Sequence, residues 1–125
     1  MVLADGGACM AVVLLTGDLT VISRVEGAAK QIGSQVRAFA SASQVFDSGI
    51  VERAGLLIVD LSTPSLEVKT FIEQLREATR SRPRVVAFGP HVHEERLAAA
   101  RQAGCDEVVS RGEFFVRIGS ILAGS

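Results

Sequence analysis

The sequence predicts an α/β domain built on a doubly wound parallel sheet, with five strands alternating with five helices. Short apolar runs bounded by turn residues recur along the 125 residues, and the clearest is 56–59, Leu-Leu-Ile-Val. Such runs read as strands buried on both faces. Between them the apolar residues take helical spacing instead, as in Val21, Ile22, Val25, Ala28, Ala29 and Ile32. The 56–59 run also leads into a single carboxylate, Asp60, followed by a proline-containing turn. The carboxyl end of a strand is where open α/β sheets bind ligands. Asp60 is therefore the first candidate functional residue.

In chain order, residues 1–9 contain Gly6-Gly7 and are expected to be a flexible leader to a single domain over 10–125. Residues 10–15 read as the first strand, closed by the turn Thr16-Gly17-Asp18. The apolar stretch 8–15 is not read as a secretory segment. Asp5 precedes it, no Lys or Arg does, and no small-residue cleavage pattern follows. It is also too short to span a bilayer. A helix is expected over 19–32, stopped by Gly33. Residues 35–40 alternate weakly and suit an edge strand. Ser41 and Gln44 have capping-box spacing and open a second helix to about 53, with Gly49 as a mild weakness inside it. After the 56–59 strand, Thr63 offers an N-cap and Pro64 a first helical position for a helix over 66–79. Strand four is expected at 85–88, an alanine-rich helix at 94–103 ended by Gly104, strand five at 108–109, and a last helix at 113–122. Right-handed crossovers leave few topologies for this pattern. The flavodoxin-like order 2-1-3-4-5 is the one expected.

The formal net charge of −1 gives no electrostatic reason to expect nucleic acid or an anionic membrane as partner. Cys9 and Cys105 are too few for a disulfide framework and are assigned no role; a cytoplasmic protein is expected. The chain has no G-x-G-x-x-G after strand one, no phosphate-binding G-x-x-x-x-G-K-[ST], no G-x-S-x-G and no H-E-x-x-H. It has no Trp or Tyr to stack a flavin ring, and Asp18 would set a carboxylate near a phosphate. An enzyme is not expected. His91 and His93 follow strand four, and a His-x-His pair with nearby carboxylates has donors for Zn2+. The plainer reading, two solvent-exposed loop histidines, is adopted, and no metal is assigned.

From about residue 10 to its end the chain resembles the receiver domain of bacterial two-component response regulators (CheY-like). The residues that carry the resemblance are Leu56-Leu-Ile-Val-Asp60-Leu-Ser-Thr-Pro64 and Ala103-Gly-Cys-Asp-Glu-Val-Val-Ser-Arg111, with Val85-Val-Ala-Phe where strand four belongs. The resemblance implies a phospho-acceptor at Asp60. It also implies an acidic pair ending strand one, a hydroxyl residue ending strand four and a lysine ending strand five. The acidic pair and acceptor would hold Mg2+, while the hydroxyl and lysine would hold phosphoryl oxygens. Here the acidic pair aligns with Thr16 and Gly17, and Asp18 comes one residue late, where a shifted turn could bring it inward. The hydroxyl position falls on Gly89 and the lysine position on Arg111. The proline after that lysine is replaced by Gly112, and the switch aromatic by Val108.

The expectation is therefore a degenerate receiver, a pseudo-receiver, that signals by binding a protein such as a histidine kinase or a separate output protein. No cofactor is expected, with Mg2+ only if Asp60 is phosphorylated. An Asp60–Arg111 ion pair could lock such a site without phosphate. Two other readings stay open: a receiver conditionally phosphorylated on Asp60 in a phosphorelay, and a small-molecule or metal-binding module using the same cleft. No output domain is expected in this chain, so any effect would pass to a separate partner or the chain would continue in a longer protein. In the last helix Phe114, Phe115, Val116, Ile118, Ile121 and Leu122 cover more than one face. Phe114, Phe115, Ile118 and Leu122 are accordingly candidates for a partner surface or a homodimer contact, against the alternative of simple burial.

Overall fold

Five parallel strands form one sheet in the order β2-β1-β3-β4-β5 in the computed structural model, which describes residues 11–123. They are β1 (Ala11–Leu15), β2 (Val36–Phe39), β3 (Ala54–Asp60), β4 (Arg84–Gly89) and β5 (Glu107–Ser110). The crossovers carry α1 (Leu19–Gln31), α2 (Ala42–Ser48), α3 (Val68–Ala78) and α4 (Glu94–Ala103), and α5 (Arg111–Ala123) follows the last strand. The expected 2-1-3-4-5 order is the observed one. The expected leader, with Cys9 and Met10, lies outside the described residues. No helix among the described residues is long and apolar enough to cross a membrane.

Strand residues alternate between two cores. Val13, Leu15, Leu57, Val59, Val85 and Ala87 pack against α2, α3 and α4 through Val45, Phe71, Ile72, Leu75, Leu97 and Ala100. Val12, Leu14, Leu56, Ile58, Val86 and Phe88 face α1 and α5 through Val21, Val25, Phe114, Ile118, Ile121 and Leu122. This is the period-two consequence of a pleated strand covered on both sides. The apolar runs look continuous in sequence because neither face meets water.

Several element boundaries differ from the expected ones, each for a local reason. Gly49 is not a weak point within a helix but its end. It adopts φ +73°, and its amide donates to the Phe46 carbonyl, so α2 stops at Ser48 and a 3-10 turn (Ile50–Arg53) leads into β3. Thr63 and Pro64 do not open α3. The Thr63 hydroxyl and amide both bond the Asp60 carbonyl, at 2.7 and 3.0 Å, which closes a turn instead. Ser65 then takes φ +64°, and α3 begins at Val68 with Glu67 as its N-cap. Ser41 does cap α2, accepting from the Gln44 amide, while the Gln44 side chain returns to the Ala40 amide.

A side chain at Gly49 would be strained by its positive φ although nothing crowds the position. Gly27 lies inside α1 with open space around it. Gly49→Ala should therefore cost about 1 kcal/mol, while Gly27→Ala should stabilise by up to about 1 kcal/mol. Urea unfolding of the two variants checks this; equal effects of one sign would refute the assignment of Gly49 as a left-handed stop.

Candidate functional site

The register that pairs Leu15 with Val59, Asp60 with Phe88 and Gly89 with Ser110 brings Thr16, Asp60, Gly89 and Arg111 to one edge of the sheet. Asp60, the last residue of β3, is only 3% exposed. Its Oδ2 accepts a 2.7 Å bond from the Thr16 hydroxyl, and its Oδ1 accepts a 2.9 Å bond from the Ser62 amide. Thr16 is itself buried, and its amide continues the β1–β2 ladder by donating to the Phe39 carbonyl at 2.9 Å. The Thr16 oxygen also accepts from the Asp18 amide at 3.1 Å. One hydroxyl thus ties the β1 turn to the carboxylate of the central strand.

Asp18 faces away from that carboxylate into two other duties. Its Oδ1 caps α1, accepting from the amides of Thr20 at 2.8 Å and Val21 at 3.4 Å. Its Oδ2 pairs with Arg111 Nη2 at 2.8 Å. The Arg111 hydrogen bond, helped by the Thr20 amide, holds the Asp18 carboxyl below its ordinary 3.8. The Arg111 guanidinium lies 5.0 Å from the centre of the Phe115 ring, and Arg24 from α1 lies 4.7 Å from it. Such stacking suits the planar guanidinium and would be weaker for a lysine.

Over Gly89 the space belongs to two leucines. A Cβ built there would lie 3.4 Å from Leu61 Cβ and 3.7 Å from Leu97 Cδ2, both ordinary contacts. Leu61 is buried and follows Asp60 directly, with its amide bonded to the Phe88 carbonyl at 2.9 Å.

No protein-family model matches the chain, and no curated protein matches it. Solved structures do. The signal receiver domain of a response regulator from Bermanella marisrubri superposes with a TM-score of 0.77 at 16% identity, over 92% of this chain and 96% of that one. The receiver domain of NtrX from Brucella abortus gives 0.74 at 15%, over 91% and 95%. The chemotaxis response regulator CheY4 of Vibrio cholerae gives 0.74 at 13%, over 91% and 96%. The fold is that of the CheY-like receiver domain.

Receivers of this fold hold Mg2+ when active, and the donors at this edge do not fit that ion. Mg2+ is held through carboxylates and water in a near-ideal octahedron. Here a neutral hydroxyl, Thr16, stands against Asp60, both Asp60 oxygens already accept hydrogen bonds, and Asp18 is committed to Arg111 and the start of α1. Gly17 contributes no side chain.

Two expectations are corrected. Arg111 pairs with Asp18 rather than with Asp60, because Asp18 reaches outward at the head of α1 while Asp60 is enclosed beneath Thr16. The last helix does not offer the expected partner surface. Phe114, Ile118 and Leu122 are buried, since α1 and α5 alone must cover that face of the sheet. Phe114 stacks on Phe88 with centroids 4.1 Å apart. Phe115 is half-buried beside Arg24 and Arg111, and of the large apolar side chains in α5 Val116 is the exposed one.

Val108 is half-buried against the α4 side of the sheet. His91 and His93 are exposed, and among the described residues no group of three or more His, Cys, Asp or Glu converges on a point. Burial pushes the half-buried Cys105 thiol up to about 11, so it is a poor nucleophile. Sequence reasoning missed the Thr16 hydroxyl as the donor to Asp60. The available signal was a threonine ending the strand beside the central one.

Thr16→Val keeps the shape but leaves a buried carboxylate oxygen without its donor. It should lower unfolding free energy by about 1–3 kcal/mol in urea titrations; no change would show that water replaces the hydroxyl freely. The Asp18–Arg111 pair should make stability depend on acid. With its folded value depressed, Asp18 adds stability above 3.8 that is lost as pH falls through the folded value. Arg111→Gln should flatten that part of the stability–pH curve, and a curve unaltered between neutral and strongly acid pH would count against the pair.

Proposed function

We propose that this chain is a cytoplasmic signalling protein of receiver fold that acts by binding another protein, as a pseudo-receiver without the usual phosphoryl switch. The observation that carries the reading is the neutral Thr16 hydroxyl set against the enclosed Asp60, with Asp18 turned to Arg111 and the head of α1 and no other carboxylate bonded at the site among the described residues. An acceptor must present an oxygen to phosphorus and needs cationic neutralisation of the equatorial oxygens. In this chain Arg111, at the family's lysine position, is spent on Asp18.

In this reading no chemical step is performed. The carboxyl edge of the sheet is held in one arrangement by neutral and paired groups, and a histidine kinase or a separate output protein recognises the resulting surface. Regulation, where it exists, comes through the amount of protein or through its partner.

One observation favours a second reading, a receiver phosphorylated on Asp60 under special conditions. Asp60 still ends the central strand, and breaking one hydroxyl bond would free its Oδ2.

Intact mass after incubation with acetyl phosphate and Mg2+ separates the two. The protein should gain no phosphoryl adduct; an adduct that disappears in Asp60→Ala would make this a working receiver and overturn the proposal.

A further inference from the structure

Beside the Asp60 edge, between the 61–67 turn and α4, lies a cavity of about 270 Å3. Its apolar wall is made by Leu61, Leu66, Val68 and Ala99, with Arg96 and Glu67 among its charged lining residues. The volume is just under the ordinary range for ligand pockets, roughly 300–1,000 Å3.

The two charged groups are not equally available. Glu67 is turned into α3, where its Oε1 accepts from the Thr70 amide and hydroxyl. Arg96 has only a long 3.5 Å bond from Nη1 to the Leu61 carbonyl, and among the described residues it pairs with no carboxylate. Its remaining N–H donors form a fork suited to two carboxylate oxygens.

We propose that this cavity binds a small organic carboxylate with a short apolar chain. Arg96 takes the carboxylate, and Leu61, Leu66, Val68 and Ala99 line the side of the cleft along which the chain lies. A monoanion is specified rather than a phosphate dianion, because a single guanidinium faces a lining that also contains the Glu67 charge.

Occupancy has a route to the rest of the site. Leu61 is at once a wall of the cavity, the neighbour of Asp60 and the side chain lying over Gly89 and packed near Leu97 of α4. An occupant pressing on Leu61 touches the residue that joins the end of β3 to α4. The site stands independently of the partner-binding reading, since it uses none of the Thr16, Asp60, Asp18 and Arg111 contacts.

The experiment is a titration of 15N-labelled protein with sodium valerate, followed by amide shifts, with 1-pentanol as the uncharged probe of equal chain length. Valerate should give saturable shifts at Leu61, Leu66, Val68 and Arg96, and the alcohol should bind about tenfold more weakly or worse. Arg96→Gln should weaken valerate by a similar factor, and Ala99→Leu should abolish the shifts by filling the wall. Arg96 and Ala99 are both exposed, so both variants should keep the parent melting temperature. Shifts that never saturate, an equal response to the alcohol, tighter binding of inorganic phosphate, or indifference to Arg96→Gln would each overturn the proposal.

Discussion

The bond between the Thr16 hydroxyl and the Asp60 carboxylate is the contact on which the carboxyl edge of the sheet depends. Asp60 sits at the end of the most enclosed strand, where an unsatisfied charged oxygen is costly. Thr16 meets that demand with a neutral donor and simultaneously receives the Asp18 amide. Because Thr16 holds Asp60, Asp18 is free to cap α1 and to pair with Arg111. Arg111 in turn settles beside Phe115, so the arrangement passes from β3 through β1 and α1 to α5. At the centre the Asp60 carboxylate is held by neutral donors alone, while the ion pair lies one step outward.

Beneath this edge the two cores divide the work unevenly. Three helices and a 3-10 turn cover one side of the sheet, while α1 and α5 alone cover the other. That imbalance explains why α5 is so rich in apolar residues. Its stripe of Phe114, Ile118, Ile121 and Leu122 is the minimum needed to close its half of the core, anchored by the stacked Phe88 and Phe114 rings. On the other side Leu61 and Leu97 both lie over Gly89 and share one apolar cluster, which links the loop after β3 to α4.

Much of the fold was legible from spacing, because strands buried on both faces and amphipathic crossovers leave distinct periods. The strand order followed from crossover geometry, and Asp60 was found because it interrupts an apolar run at the sheet edge. What spacing cannot carry is direction. The Arg111 pair joins residues 93 positions apart, and it depends on which way Asp18 turns, which is set by its local capping of α1. The apolar density of α5 was visible, but whether it faces outward depends on how many helices share its side of the sheet. Gly49 and the 63–65 turn were misplaced because their backbone angles, rather than their residue types, end or delay a helix.

The leucine contacts at Gly89 bear on how far this chain stands from phosphoryl chemistry. A Cβ at position 89 would already touch Leu61 at 3.4 Å and Leu97 at 3.7 Å, so a hydroxyl-bearing side chain there would share its space with both leucines. A carboxylate in place of Thr16 is different. It would set a second negative charge near an oxygen now 2.7 Å from the hydroxyl, with Arg111 already committed elsewhere. Like charges that close do not both ionise without a cation between them. Return to a metal-dependent site would therefore require several charge changes made together, each unfavourable alone. The present arrangement is kept by neutral and paired groups around Asp60 and by the two leucines beside Gly89.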